Sequence, residues 1–103
     1  METGKRKEKD VVRWLENHGW EIKYEGGRGP ADIIAIKGWR RWLIQVKYTC
    51  KYEMDISRFS KELGPLINMV EKQHGTAVLC FVITNRVWFD SAKTGKNLAK
   101  GSL

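Results

Sequence analysis

The 103-residue sequence has two cysteines, Cys50 and Cys80, which stand far apart and show no paired-cysteine spacing. This scarcity argues against a structural zinc site and against a small secreted domain held together by disulfides. No run approaches the roughly 18 apolar residues that a membrane-spanning helix needs. The opening residues METGKRKEKD lack the apolar segment of a signal peptide. We therefore expect a cytoplasmic protein.

Acidic residues are also few in comparison with basic ones. Nineteen Lys and Arg oppose twelve Asp and Glu, which gives a net charge of +7. A domain this basic suits a polyanion, most often a nucleic acid, although a basic surface without such a partner remains the alternative. The length fits one domain over residues 1–103, in which the polar residues 92–103 are expected to form a loosely held tail.

Hydrophobic periodicity predicts an α/β fold. A helix is expected over residues 4–18, where Gly19 follows as a stop, and a second helix from about residue 57 to the His74-Gly75 pair. Gly64-Pro65 should kink or split this second helix. Strands are expected at 20–25, 31–36, 42–48, 76–84 and 86–90. The order predicts a central mixed five-stranded sheet flanked by helices.

Three polar residues stand on the otherwise apolar strands of the expected 31–48 hairpin. Asp32 opens the first strand, and Gln45 and Lys47 close the second. Because side chains alternate along a strand, Gln45 and Lys47 lie on the same face. Asp32 shares that face only if paired residue numbers across the hairpin sum to an odd value. Glu8 lies on the inward stripe of the first helix and could add a second carboxylate.

Oxygen ligands that converge in this way are what Mg²⁺ or Mn²⁺ requires, and a neighbouring lysine could activate water or stabilise a phosphorane. On a basic chain the natural substrate is a phosphodiester. Each residue also has a structural explanation of its own. Asp32 could be a turn residue, Glu8 could favour the helix dipole, and Lys47 could protect a sheet edge. The catalytic interpretation rests on their joint occurrence.

An ordered motif runs along the chain: first Glu8, then PAD ending at Asp32, then QVK at 45–47. It resembles the PD-(D/E)XK nuclease superfamily and, within it, the archaeal-type Holliday junction resolvases. The segments GKRKEKDVVRWLENHGW, GPADIIAI and HGTAVLCFVITNRVWFD are similar to that family's opening helix, Pro-Asp strand and closing strands, so the likeness spans about residues 4–90. The resemblance implies a restriction-endonuclease-like core, a homodimer, and Mg²⁺-dependent cleavage of four-way DNA junctions.

Carried over by position, the resemblance implies that the catalytic residues are Glu8, Asp32, Gln45 and Lys47. The metal would be held by Glu8, Asp32, Gln45 and the backbone carbonyl of Val46. Thr49 stands where the family often has a small polar residue near the site. Gln45 replaces the family's usual Glu, so metal affinity should fall or Mn²⁺ should be preferred. The loop EGGRG before Asp32 is short, and Glu25 could compensate there as an extra acid.

If the motif residues converge, several basic residues are expected to ring them and contact phosphates. The candidate DNA-binding cations are Lys5, Arg6, Lys7, Arg28, Lys51, Arg58 and, in the hairpin turn, Arg40 and Arg41. Trp39, at the hairpin turn, could stack on a base, lie in a dimer interface or fold back onto the core. The preferred hypothesis is a metal-dependent, structure-specific DNA endonuclease. The alternatives are a nuclease for ordinary duplex or flap DNA, a catalytically silent DNA-binding dimer, and a basic structural module.

Overall fold

A computed structural model of the chain describes residues 3–26, 29–49 and 60–103, with the backbone alone described for residues 3–7 and 60–62. Eight elements follow one another: α1 (Thr3–Asn17), β1 (Glu21–Glu25), β2 (Ile33–Lys37), β3 (Arg40–Tyr48), α2 (Ser60–Gln73), β4 (Thr76–Ile83), β5 (Arg86–Ser91) and β6 (Asn97–Ser102). Within these described ranges, no helix is long and apolar enough to cross a membrane.

The six strands form one mixed sheet in the order β1-β2-β3-β4-β5-β6. β3 and β4 pair in parallel, and the other four neighbouring pairs are antiparallel. The parallel pair follows from the connection, because a chain that leaves β3 and returns through α2 can re-enter the sheet in the same direction. The expected mixed sheet flanked by helices is confirmed, and a sixth strand is added.

The two helices cover opposite faces of the sheet, and each face has its own apolar cluster. On the α1 face, Val11, Trp14 and Leu15 pack with inward residues of β2 to β5, including Ile33 and Ile44. On the α2 face, Leu63 and Leu66 pack with the alternate residues of the same strands. Central strands buried on both sides explain the nearly unbroken apolar runs in β2 and β4.

The expectation of a loosely held tail over residues 92–103 is wrong for its second half. Asn97–Ser102 forms β6 and pairs with β5, with Val87 opposite Gly101 and Phe89 opposite Ala99. The pairing covers the edge that β5 would otherwise present to solvent. β6 is itself an edge strand with a mostly exposed, polar sequence, so it carries little of the apolar alternation that announces a strand.

The second helix is not divided at Gly64-Pro65, as the sequence had suggested it could be. α2 runs from Ser60 to Gln73 with Pro65 inside it. Pro65 lies in the second turn, so its missing N–H removes one hydrogen bond near the start of the helix and leaves the later turns intact. The expected beginning of the helix near residue 57 lies outside the described residues.

Candidate active site

The β2–β3 hairpin has the register that the catalytic interpretation requires. Ile33 is opposite Ile44 and Ile34 is opposite Leu43, so the paired numbers sum to an odd value, as predicted. One residue further, the N–H of Asp32 donates to the carbonyl of Ile44 at 2.8 Å. The regular ladder therefore ends at Ile33, and Asp32 lies just beyond it, held against β3 next to Ile44 and Val46.

The Asp32 carboxylate is fixed by the backbone of the neighbouring strand. Its Oδ2 accepts a hydrogen bond from the N–H of Val46 at 2.8 Å. Burial raises the pKa of Asp32, while the Val46 hydrogen bond and the positive charge of Lys47 both act to lower it. Asp32 is thus an oriented, half-buried acid with an ammonium group close enough to affect its ionisation.

Gln45 supplies the second oxygen of the candidate site. Its side-chain Oε1 is buried and accepts no hydrogen bond from the described residues. An unsatisfied buried polar atom costs about 1–3 kcal/mol, so native structures seldom keep one without a reason. A bound ligand that accepts lone-pair density from Oε1, such as a hard cation, would supply the missing partner.

Glu8 reaches the same end of the sheet from the opposite face. α1 ends at Asn17, two residues before Gly19. Gly19 lies close to Lys37, at the hairpin end of β2: a Cβ added to Gly19 would be 3.3 Å from Cε of Lys37. The earlier turns of α1 therefore lie toward the end that carries Asp32. Burial, then the negative charges of Glu8 and Asp32, raise the pKa of the Tyr48 phenol. Both carboxylates thus act on one phenol at the end of β3.

The donor set fits a divalent metal ion, although it is a small one. It consists of the half-buried Glu8 and Asp32 carboxylates and the unpartnered amide oxygen of Gln45. In the part of the chain that the structure describes, no group of three or more His, Cys, Asp and Glu side chains is placed to hold a metal. Glu25 therefore does not join Glu8 and Asp32 as a third acid. Water would complete the coordination of Mg²⁺ or Mn²⁺.

Val46 and Thr49 have backbone roles at this end of the sheet. Val46 donates its N–H to Asp32, and Thr49, half-buried after β3, donates its N–H to the carbonyl of Val82 at 3.1 Å. The carbonyl of Val46 as a metal ligand, and a role for Thr49 in the site, stay predictions.

Two of the predicted DNA-binding cations lie far from this site. Arg40 and Arg41 begin β3, whereas Gln45 and Lys47 lie near its end. Lys47 stands six positions after Arg41 along the strand, which corresponds to roughly 20 Å. These two arginines are therefore not among the cations that could ring the motif residues, because the turn of a hairpin is at the opposite end from its open termini. Their role in DNA binding stays a prediction. Arg41 instead donates to the carbonyls of Gln73 and His74 at the end of α2.

The other predicted cations are not tested by the structure. Arg28, Lys51 and Arg58 lie outside the described residues. Lys5, Arg6 and Lys7 lie in α1, upstream of Glu8, where the backbone alone is described. Trp39 does not fold back onto the core, since its side chain is 89% exposed.

Sequence reasoning missed Tyr48, which stands beside the site. The residue directly follows Lys47 and points to the other face of β3, toward α1 and Glu8. Strand alternation could have revealed this, because a residue on the α1 face at the open end of β3 must lie under the first turns of the helix.

Comparison with known proteins identifies the family of the chain and supports its fold. The family model of the archaeal Holliday junction resolvase (Hjc) matches residues 1–94. Among solved structures, the chain is similar to Hjc of Archaeoglobus fulgidus, a Holliday junction resolvase from an archaeal hyperthermophile. The two are 22% identical with a TM-score of 0.70, over 95% of this chain and 87% of that one. The family match covers most of the sequence, and the chain therefore belongs to the archaeal Holliday junction resolvase family.

Proposed function

We propose that this structure-specific DNA endonuclease cleaves phosphodiester bonds with a divalent metal ion held by Glu8, Asp32 and Gln45. The endonuclease activity itself follows from membership of the Holliday junction resolvase family. The metal, its ligands and the residue roles are the proposal. The observation that carries it is the buried Gln45 Oε1, which has no hydrogen-bond partner in the described structure and belongs to the strand opposite Asp32.

The proposed metal ligands differ in charge. Glu8 and Asp32 would contribute charged oxygens and Gln45 a neutral one, with the Val46 carbonyl as a further candidate ligand. When bound, the metal would act as a Lewis acid on the phosphodiester. The hydrogen bond from Val46 keeps the Asp32 carboxylate in one orientation. A fixed carboxylate loses less conformational freedom on binding a cation, which favours occupation of the site.

Lys47 would serve the phosphate rather than the metal. It lies on the same face of β3 as Gln45, and its charge affects the ionisation of Asp32. An ammonium there can hold the attacking water or stabilise negative charge that develops on the phosphoryl oxygens. Because it acts as a charged donor, a neutral replacement should lose the effect even where the shape is kept.

The proposed partner is DNA and the proposed assembly is a homodimer, and both are argued from the substrate. A four-way DNA junction has two equivalent strands to cut, so a two-fold homodimer with two sites suits it. The net charge of +7 supports binding to the phosphate backbone. Action on DNA also supports the expected cytoplasmic location. The neutral amide at Gln45 supports weaker Mg²⁺ binding than a glutamate would give, with Mn²⁺ as the more effective ion.

The experiment is cleavage of a labelled four-way junction and of a linear duplex with the sequence of one arm, in Mg²⁺ and in Mn²⁺. Asp32→Asn and Lys47→Ala test the site. Asp10→Asn and Lys100→Ala are matched controls that remove the same charges at positions outside it. We expect each site variant to lose at least about a hundredfold in rate, while the controls stay within about twofold of the unmodified chain.

The outcomes separate the candidate functions. Junction cleavage that both site variants abolish supports the proposal. Equal cleavage of duplex and junction would keep the site but assign it to ordinary duplex or flap DNA. Junction binding without cleavage in either metal would show that Gln45 marks a silent, DNA-binding descendant. Cleavage that survives both site variants would place the chemistry elsewhere.

A further inference from the structure

The end of the sheet farthest from Asp32 carries a second feature, which the proposed function does not use. A groove of about 590 Å³ opens there between the β2–β3 hairpin, the start of β4 and the β5–β6 turn. Its lining includes the side chains of Trp39, Arg40, Trp42, Lys96 and Leu98. We call this feature the hairpin groove.

The hairpin groove combines an open aromatic ring with positive charge. Trp39 is 89% exposed, the largest exposure of any large apolar side chain in the described parts of the chain. The guanidinium carbon of Arg40 lies 5.5 Å from the centroid of the Trp39 ring. Arg40, Arg41 and Lys96 bring three cations to the lining, and no Asp or Glu from residues 3–26, 29–49 or 60–103 contributes to it. An exposed indole beside several cations offers a stacking surface and a positive charge to the same ligand, which favours an anionic partner with a flat ring.

The floor of the groove is held rigidly, so its shape is built before any partner arrives. Trp42 is buried and packs against Trp20 at 4.2 Å and Phe89 at 5.5 Å between ring centroids. Arg41 is occupied by the carbonyl groups of Gln73 and His74, which ties the hairpin to the end of α2. This leaves Trp39, Arg40 and Lys96 as the side chains available to a ligand.

We propose that the hairpin groove binds single-stranded DNA, with an unpaired base stacked on Trp39 and adjacent phosphates on Arg40 and Lys96. Stacking on an exposed aromatic ring combined with a cationic groove is how proteins hold single strands without reading their sequence. One face of the indole carries Arg40, and the exposed remainder is open to a base. A duplex offers no such base along its length, since its bases are already stacked on one another.

The chemistry of the lining favours a nucleic acid over an acidic peptide. Both would satisfy the cations, but only a nucleobase matches a flat, exposed ring with a second stacking surface. The choice of DNA within the nucleic acids rests on the proposed function. With roughly 20 Å of β3 between Arg41 and Lys47, the groove would hold a single-stranded segment away from the bond that is cut.

The test is binding rather than cleavage, so that it does not depend on an active nuclease. The full chain, without metal, is titrated with labelled oligothymidylate of about 12 nucleotides and with a labelled blunt duplex of equal length. Trp39→Ala removes the ring and Trp39→Phe keeps a smaller one. Arg40→Ala and Lys96→Ala remove the groove cations. Lys100→Ala is the matched control, since Lys100 is exposed on β6 outside the lining.

We expect Trp39→Ala to weaken oligothymidylate binding about tenfold, in line with the loss of one base–aromatic stack. Trp39→Phe should recover most of that loss, and the two cation variants should each lose a fewfold with a shallower salt dependence. Duplex binding should stay within about twofold for Trp39→Ala, as should both ligands for Lys100→Ala. Thermal unfolding of each variant verifies that the fold is kept.

Three results would overturn the proposal. Equal losses for single strand and duplex in Trp39→Ala would make the groove a general DNA contact. Binding of a polyglutamate peptide that competes with oligothymidylate and depends on Trp39 would assign the groove to an acidic peptide. No change in Trp39→Ala would leave the ring without a role in binding DNA. None of these results bears on cleavage, so failure here and failure of the proposed nuclease site are distinguishable.

Discussion

At the scale of single residues, Asp32 links the candidate site to the stability of the fold. Its pKa is raised above the ordinary value of 3.8, mainly because the carboxyl is partly buried. The folded state therefore binds more protons than the unfolded chain in the window between 3.8 and the raised pKa. Stability without metal must fall as pH rises through that window, and the penalty persists above it.

Asp32→Asn should consequently make the metal-free protein more stable at neutral pH, while it abolishes cleavage. Asparagine keeps an oxygen that can accept the Val46 N–H but carries no charge to desolvate. The advantage over the unmodified chain should shrink as pH falls below the window, where Asp32 is protonated anyway. Urea unfolding at a series of pH values measures this difference, and Asp10→Asn, at an exposed ion pair with Arg13, is the control. An advantage that does not vary with pH would contradict the assignment.

Gln45 allows the metal proposal to be tested without measuring activity. Gln45→Glu places a second charge beside Asp32, so the metal-free protein should be less stable and Mg²⁺ should raise its melting temperature more than that of the unmodified chain. We expect roughly tenfold tighter Mg²⁺ binding, because carboxylate charge sets much of the affinity at such sites. Gln45→Met keeps the size and removes the oxygen, so Mg²⁺ should raise its melting temperature less than that of the unmodified chain. An equal response of the two variants would exclude Gln45 as a ligand.

The residues of the site differ in how far the sequence could predict them. The shared face of Gln45 and Lys47 and the odd-sum register of the hairpin follow from strand alternation and a short turn, and both are local properties. The role of Arg41 could not be predicted in this way. Its partners, the carbonyls of Gln73 and His74, are more than 30 positions away and depend on where α2 ends relative to β3.

At the scale of secondary-structure elements, β6 is held against α1 through a close approach at Gly101. A Cβ built at Gly101 would lie 2.7 Å from Nε1 and 3.0 Å from Cζ2 of Trp14. Trp14 cannot easily yield, because it is buried and packs on Phe89 and His18. The strand that the sequence did not reveal thus has a steric requirement for glycine that only the packed structure makes visible.

We expect Gly101→Ala to lower the free energy of unfolding by about 1–3 kcal/mol, since the added methyl group overpacks a fixed ring. The matched control is Gly64→Ala, in α2, where an added Cβ meets nothing within 4 Å. That change should raise stability by up to about 1 kcal/mol, because alanine is the better helix former. Urea unfolding measures both. A neutral Gly101→Ala would mean that β6 moves away from α1 without cost.

The elements were predictable where their pattern is local. The amphipathic stripe of α1 and the apolar runs of β2 and β4 are written in consecutive residues, and these elements were predicted within a few positions. β6 was missed because its stabilising contacts come from β5 and Trp14, while its own sequence is polar. The same holds for the bulge between Phe89 and Asp90, where Asn97 donates to the fully buried Asp90 at 2.8 Å.

At the scale of the whole molecule, the sheet separates the candidate active site from the hairpin groove. The open end of the β2–β3 hairpin carries Asp32, Gln45 and Lys47, and the turn end carries the hairpin groove. Both features stand on strands of one sheet, so their distance is fixed by strand length. A DNA that occupies both proposed sites would need an unpaired segment about 20 Å from the bond that is cut.

The proposed homodimer predicts that cleavage of both strands of a junction needs two active chains in one dimer. If two sites act on one junction, an inactive partner should leave one strand uncut. Mixing equal amounts of the unmodified chain and Asp32→Asn, with time for exchange, should form about a quarter fully active dimers when pairing is random. In a single turnover on a plasmid with an extruded four-way junction, about a quarter of the plasmid should become linear, about half should become nicked circles and about a quarter should stay uncut, because a quarter of the dimers carry two inactive sites. Sedimentation at the same concentrations verifies that the mixed protein is dimeric. Linear product in proportion to the unmodified chain, at about one half, would instead mean that each chain cuts independently and that the second site is not supplied by a stable partner.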